Sequence, residues 1–237
     1  MKIIEKILNI LYPRRCPICD KIVNQAAGKI CRECRKKIPY IREPRCRKCS
    51  KPLMKNEQEY CCDCENKTHI YKKGLALVEH KGAVRKSIYR IKYNNKREYL
   101  DFYSEEIVKR YGEIIKKWNP DAIIPVPLHK KREIKRGYNQ ALLLAKKIGA
   151  ALSIPVYDDV LLRIRQTTPQ KTLTEKERKK NVESAFHIKK NKVKLNKVIV
   201  VDDIYTTGST IDACSKCLKD AGTEIIYFLT ISIGDGM

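Results

Sequence analysis

Two adjacent carboxylates, Asp202 and Asp203, stand between a run of branched apolar residues and a cluster of small hydroxyl residues. Val198-Ile199-Val200-Val201 reads as a buried parallel strand, and Ser209 to Ala221 as a helix closed by Gly222. Gly208 lets the backbone approach a ligand closely. Around it Thr206, Thr207, Ser209 and Thr210 offer hydroxyls beside the free N–H groups of a helix start. That combination suits a phosphate monoester. Carboxylates at the carboxyl end of such a strand lie where α/β sheets bind ligands, and they can accept hydrogen bonds from vicinal sugar hydroxyls. The plainer alternative is a strand-turn-helix whose acid caps the helix. A cap needs one such residue, not two carboxylates and four hydroxyls.

A second constellation is made of sulfur. Nine of the eleven cysteines precede residue 65, and eight of them form C-x₂-C pairs on a 15-residue period: Cys16/Cys19, Cys31/Cys34, Cys46/Cys49 and Cys61/Cys64. Zn²⁺ prefers four thiolates in a tetrahedron, and a C-x₂-C turn presents two from one tight loop. Eight ligands therefore make two closed Cys₄ sites, which are structural because no coordination position stays open. Sequential pairing is the simplest connectivity, with a crossed one left open. Cys62 could replace Cys61, but the period favours Cys61. Pro17, Asp20 and Ser50 fit knuckle turns, although the glycine common after the second cysteine is absent. Cys214 and Cys217 repeat the spacing inside a helix and read as buried thiols.

A third group is cationic. His129, Lys130, Lys131, Arg132, Lys135 and Arg136 lead into Gly137-Tyr138-Asn139-Gln140, after the expected strand Asp121 to Leu128. A basic loop between a strand's carboxyl end and a helix start would hold a second phosphate group, with Lys131, Arg132 and Arg136 as its cations. The polar segment Arg163 to Arg178 has too few apolar residues to pack, and reads as a closing lid or binding loop, with an uninvolved disordered loop as the alternative.

The elements that must position these groups alternate. Ala83 to Lys92, Glu98 to Trp118 and Gln140 to Leu152 read as helices; Ile154 to Arg163 and Glu224 to Ile233 read as strands. Strands alternating with helices imply an α/β, mostly parallel, doubly wound sheet. The expected division is 1–70, an amphipathic helix (Met1 to Tyr12) and a double zinc ribbon, and 71–237, the α/β domain. The formal charge is +24, lowered toward roughly +20 by two zinc-thiolate sites. It permits polyanion binding without requiring it. No stretch is apolar enough to span a bilayer, and the charged start does not read as a signal peptide. A reducing, cytoplasmic setting is therefore expected, with the thiols on zinc and not in disulfides.

The acidic pair with its hydroxyl loop resembles the signature of the type I phosphoribosyltransferases, which bind phosphoribosyl pyrophosphate (PRPP). The resemblance sharpens along the chain. The four-knuckle ladder, Ile124-Pro125-Val126-Pro127-Leu128 through Arg136-Gly137-Tyr138-Asn139-Gln140, and Val201-Asp202-Asp203 occur in the order found in the ComF family. So does Arg163-x-Arg-x-Thr with Gln170, Leu173, Arg178, Asn181 and Ala185-Phe186, and the likeness covers roughly residues 13 to 233. It implies a type I phosphoribosyltransferase fold and PRPP binding with Mg²⁺. It also implies a link to the uptake or use of external DNA, with single-stranded DNA and a competence helicase as possible partners. Under it, Asp202 and Asp203 hold the ribose hydroxyls, Thr206 to Thr210 hold the 5-phosphate, and the 127–136 segment neutralises pyrophosphate. Transfer to an unidentified acceptor is expected; a non-catalytic PRPP or nucleotide sensor, or a DNA adaptor, is the alternative. Enzymes that salvage 6-oxopurines place an aspartate three residues after the acidic pair. Thr206 stands there and cannot act as a carboxylate base.

Overall fold

A computed structural model describes residues 13–23, 28–164, 185–189 and 195–234. The expected helix Met1 to Tyr12 and the lid segment beyond Ile164 lie outside them. Two short helices, α1 (Arg32–Lys36) and α2 (Cys62–Asn66), belong to the cysteine-rich segment. The rest follows as β1 (Lys73–Glu79), α3 (Gly82–Tyr93), α4 (Tyr99–Trp118), β2 (Ala122–Pro125), α5 (Lys130–Arg136), α6 (Gln140–Leu152), β3 (Leu161–Arg163), β4 (Phe186–Ile188), β5 (Lys197–Tyr205), α7 (Ser209–Asp220) and β6 (Ile225–Ile233). Four strands make one parallel sheet in the order β1-β6-β5-β2, and β3 pairs antiparallel with β4. The fold class is the one expected: a parallel α/β sheet preceded by a double zinc ribbon.

The apolar runs in these strands are continuous because both faces are covered, so successive residues divide between two cores. Leu75, Leu77, Ile199, Val201, Tyr227 and Leu229 face α3, α4 and α6. Ala76, Val198, Val200, Ile226 and Phe228 face α7 and the β3–β4 pair. Helix α4 is anchored by polar ends of its aromatic residues. Tyr103 Oη donates to Ser87 Oγ at 2.8 Å and Tyr111 Oη donates to the Ala76 carbonyl at 2.9 Å. The helix stops at Asn119 in the left-handed region, before Pro120.

Three sequence expectations need correction. Strand β1 was not anticipated, since Gly74 and Ala76 weaken its apolar signal. The expected strand Ile154 to Arg163 is strand only over its last three residues, with an isolated bridge from Val156 to Ile123. The basic segment after β2 is a helix, not a loop: His129 Nδ1 accepts from the Lys131 N–H, Glu133 lies in the first turn, and Gly137 closes it at φ 78°. Those are ordinary helix start and stop signals.

The cysteine-rich segment is built into the sheet. Residue Ile41 donates its N–H to the Leu77 carbonyl, and Glu79 donates to the Pro39 carbonyl, so residues 39–41 cover the outer edge of β1. Cys16, Ile18, Val23, Ile30 and Ile38 join the core beside α3 and α4, while Ile41, Cys46, Cys49 and Cys61 join the opposite one. Its two halves therefore straddle the edge strand, one on each face. Gly74 is the point of closest approach. Its N–H donates to the Lys48 carbonyl at 2.8 Å, its carbonyl accepts from Ser50 Oγ at 2.9 Å, and a Cβ there would stand 2.0 Å from the Phe228 ring. Gly74→Ala should destabilise the zinc-loaded protein by about 1–3 kcal/mol through overpacking, measured by urea unfolding. An unchanged midpoint would mean that Phe228 can swing aside.

Candidate functional site

The four Sγ atoms of Cys16, Cys19, Cys31 and Cys34 lie within 4.8 Å of one another, and so do those of Cys46, Cys49, Cys61 and Cys64. Cys19 to Cys31 is 3.8 Å and Cys49 to Cys61 is 3.6 Å. A tetrahedron with Zn–S bonds near 2.3 Å has edges of about 3.8 Å, so each group fits one Zn²⁺. The pairing is sequential. Cys61 faces inward while Cys62 is exposed, its Sγ 3.1 Å from the Asn66 side-chain amide. Both knuckles repeat the same bonds: Cys16 N–H to Lys21 and Asp20 N–H to Cys16, then Cys46 N–H to Lys51 and Ser50 N–H to Cys46. Asp20 and Ser50 take the left-handed conformation usual for glycine, at φ 64° and 68°. Their side chains make the position useful, because Asp20 accepts from Tyr99 Oη and Ser50 donates to Gly74.

The second site lies at the carboxyl end of the sheet. Asp202 and Asp203 are consecutive on β5, so their side chains leave on opposite faces. Asp203 is buried, with Lys92 Nζ of α3 2.8 Å from Oδ2. His80 Nδ1 shares a 2.9 Å hydrogen bond with Ser232 Oγ beside it. Burial and the charge of Lys92 hold the His80 imidazole below its ordinary pKa. On the other face, the Asp202 carboxylate feels the positive charge of Arg163 from β3, and its Oδ1 accepts the Asp203 N–H at 2.8 Å. Burial, and then the neighbouring charge of Asp203, push the Asp202 carboxyl up to about 7, with Lys92 working the other way.

Beyond β5 the chain turns through Thr206 and Thr207 into α7. Gly208 occupies φ 81° as the residue before the helix, and Thr207 Oγ1 lies 2.9 Å from Ser209 Oγ. Ser209 and Thr210 are partly exposed and Thr206 is exposed, so hydroxyls and first-turn amides are open to a ligand. The three cations assigned to α5 part company. Burial, and then the positive charge of Arg132, lower the Arg163 pKa. Arg136 turns to Gln140 and to the ring of Tyr93, 5.5 Å from its centroid. Lys131 is exposed. Arg163, which closes the expected strand and opens the polar segment, is the last residue of β3, its guanidinium 5.2 Å from the Phe186 ring centroid. Lys92 and His80 were missed. Lys92 is one cation among several on α3 and His80 lies in the turn after β1, and only the fold brings them to Asp203.

A family model described as "Double zinc ribbon domain" matches residues 7–65. "Competence protein F" of Haemophilus influenzae is 42% identical over 109 residues, 45% of this chain and 48% of that protein. "Competence protein ComFC" of Bacillus subtilis is 25% identical over 171 residues, covering 68% and 67% of the two chains. The chain is thus similar to proteins of the ComF family. "DNA utilization protein YhgH" of Escherichia coli K12 is 33% identical over 107 residues, 45% of this chain and 47% of that one. The match thus spans about half the length of the Haemophilus and Escherichia proteins. A solved purine phosphoribosyltransferase from Pyrococcus horikoshii aligns at TM-score 0.34 and 17% identity, over 57% of this chain and 88% of that one. Among the described residues no helix is long and apolar enough to cross a membrane.

The acidic pair has a pH signature. An acid whose pKa folding raises from 3.8 to about 7 adds stability below the lower value and loses it as pH climbs to the upper one. Asp202→Asn should therefore match the parent's thermal midpoint near pH 4 and exceed it at pH 8, the gap opening between those values. An equal gap at both pH values would contradict this assignment.

Proposed function

We propose that this protein binds PRPP at Asp202, Asp203 and the 206–210 loop, and transfers its phosphoribosyl group to an acceptor with release of pyrophosphate. The observation that carries the reading is the acidic pair on β5 running directly into a hydroxyl-rich, glycine-pivoted start of α7. The first-turn amides of α7 and the hydroxyls of Thr206, Thr207, Ser209 and Thr210 suit the 5-phosphate. Asp202 and Asp203 accept from the ribose hydroxyls, and Lys92 orients Asp203. Arg132 places positive charge where pyrophosphate would leave, with Lys131 and Arg136 next to it on α5. A magnesium ion carried by PRPP would neutralise its phosphates, and the Asp202 and Asp203 carboxylates offer oxygen ligands of the kind such a cation takes. Preorganised negative charge at the ribose and positive charge at the leaving group favour a transition state that separates charge in that sense. Thr206 in place of an aspartate argues against 6-oxopurine acceptors.

Both Cys₄ centres hold structural Zn²⁺ in this reading, and thiolate–zinc centres belong in a reducing cytoplasm. The relatives' names connect the protein to DNA uptake and use. A second role in handling single-stranded DNA, beside a competence helicase, draws on one surface feature. Tyr89 and Tyr93 are 58% and 64% exposed on α3, their ring centroids 4.7 Å apart, with the basic α5 beside them. Stacking rings next to cations suit an unpaired strand.

Calorimetric titration of the zinc-loaded protein with PRPP and Mg²⁺ tests the main reading. Binding in about the micromolar range, lost in Asp202→Asn/Asp203→Asn with the fold intact, is the expected result. No binding by the parent would overturn it. Pyrophosphate release only when an acceptor is supplied would mark an enzyme, and binding without release a sensor. Single-stranded DNA affinity should fall steeply with salt, and Tyr89→Ala/Tyr93→Ala should weaken binding without changing that slope, if α3 and α5 form the strand's surface.

A further inference from the structure

The segment that leaves the second Cys₄ group, His69–Ile70–Tyr71, runs beneath the 206–210 loop. The His69 side chain is 1% exposed, and its Nδ1 lies 2.6 Å from Asp212 Oδ2 in the first turn of α7. The other oxygen, Asp212 Oδ1, accepts the Ile70 N–H at 3.0 Å. Both oxygens of one carboxylate are thus committed to this segment. The imidazole stacks on Tyr71 with centroids 4.9 Å apart, and Tyr71 Oη lies 2.6 Å from Tyr205 Oη. Directly above sits Gly208: a Cβ there would meet Tyr205 Oη at 2.6 Å and His69 Cε1 at 3.0 Å. The glycine at φ 81° is therefore needed for contact with this layer as well as for the turn.

The same layer reaches the second zinc knuckle. Lys48, between Cys46 and Cys49, donates from Nζ to the His69 carbonyl at 3.4 Å and stands 5.3 Å from the Tyr71 ring centroid. Tyr71, Tyr205, Cys46, Cys49 and Cys61 share one core, whereas Cys16 lies in the other, with Cys19, Cys31 and Cys34 packed against it. The remaining ring nitrogen, His69 Nε2, is buried and makes no hydrogen bond among the described residues. A polar ring accepted into a core with one nitrogen unpaired carries a cost. What offsets it is the bond to Asp212.

We propose that His69 is a positioning residue for the 206–210 loop, holding it through Asp212 and tying its geometry to the second zinc site and not to the first. This rests on the reading of that loop as a phosphate cradle, but it can be tested apart from it. In the zinc-loaded full chain, amide hydrogen exchange over 206–212 is compared among the parent, His69→Phe and His69→Asn. Phenylalanine keeps the ring stack and loses the bond to Asp212; asparagine can restore a donor in place of Nδ1. Exchange over 206–212 should rise about tenfold or more in His69→Phe while α4 is unchanged, and return toward the parent's rate in His69→Asn. Unchanged exchange in His69→Phe, or an asparagine variant as fast as the phenylalanine one, would overturn the proposal. Cys64→Ser should speed the same amides more than Cys34→Ser does, and equal effects would overturn the tie to the second site. PRPP affinity should also drop about tenfold in His69→Phe. If the parent binds no PRPP, the functional reading fails while the exchange rates still decide the role of His69.

Discussion

A parallel sheet leaves no strand free to face water on either side, and its edge strands expose unpaired backbone groups unless something covers them. In this protein the edge strand β1 is covered by the cysteine-rich segment, through the backbone bonds of residues 39–41 and the contacts of Lys48 and Ser50 with Gly74. That clasp depends on a segment whose own turns are held by thiolate clusters. About fifty residues with few large side chains cannot bury enough apolar surface to hold such turns unaided. Zinc, the ribbon and the edge of the sheet therefore form one mechanical unit. Both faces benefit, because each half of the ribbon adds cysteines and branched side chains to a different core.

The acidic end of β5 inherits its electrostatics from this packing. Two adjacent carboxylates in a covered sheet cannot both ionise freely, so one needs a cation and the other holds its proton longer. Lys92 reaches Asp203 from one face, and Arg163 approaches Asp202 from the other. A polyol ligand with its accompanying cation would find acceptors already oriented there. The loop that follows is equally constrained, with Gly208 pressed on the aromatic layer of His69, Tyr71 and Tyr205. The strong positive charge of the chain thus has a local expression at this site, besides whatever it contributes to polyanion binding.

Much of this was legible from local pattern. The 15-residue ladder specifies two Cys₄ groups, since spacing fixes which thiols a tight turn can offer together. Continuous branched runs and the helix signals around 99–118, 140–152 and 209–222 specify a covered α/β sheet. The hydroxyls around Gly208 mark the start of a helix after a strand, which the structure places at Ser209. Reading 129–136 as a loop weighed its charge density and passed over its caps, which were there to be read in His129, Glu133 and Gly137. Strand β1 was harder: Gly74 and Ala76 look weak until the ribbon and Phe228 that require small residues are known.

The sequence by itself determined the chemistry available: eight thiolates in register, two carboxylates, a hydroxyl loop and a set of cations, each in a local setting that short-range rules suffice to interpret. Tertiary structure alone decided which of them meet. It chose sequential thiol pairing, sent Asp202 and Asp203 to opposite faces, gave Lys92 to Asp203, and set Arg136 beside Gln140 and Tyr93. It also placed His69 against Asp212, 143 residues further along the chain. Such pairings are long-range consequences of how strands order in a sheet and how helices cover it. A polar residue carries no local mark of the distant partner that will satisfy it when both are buried.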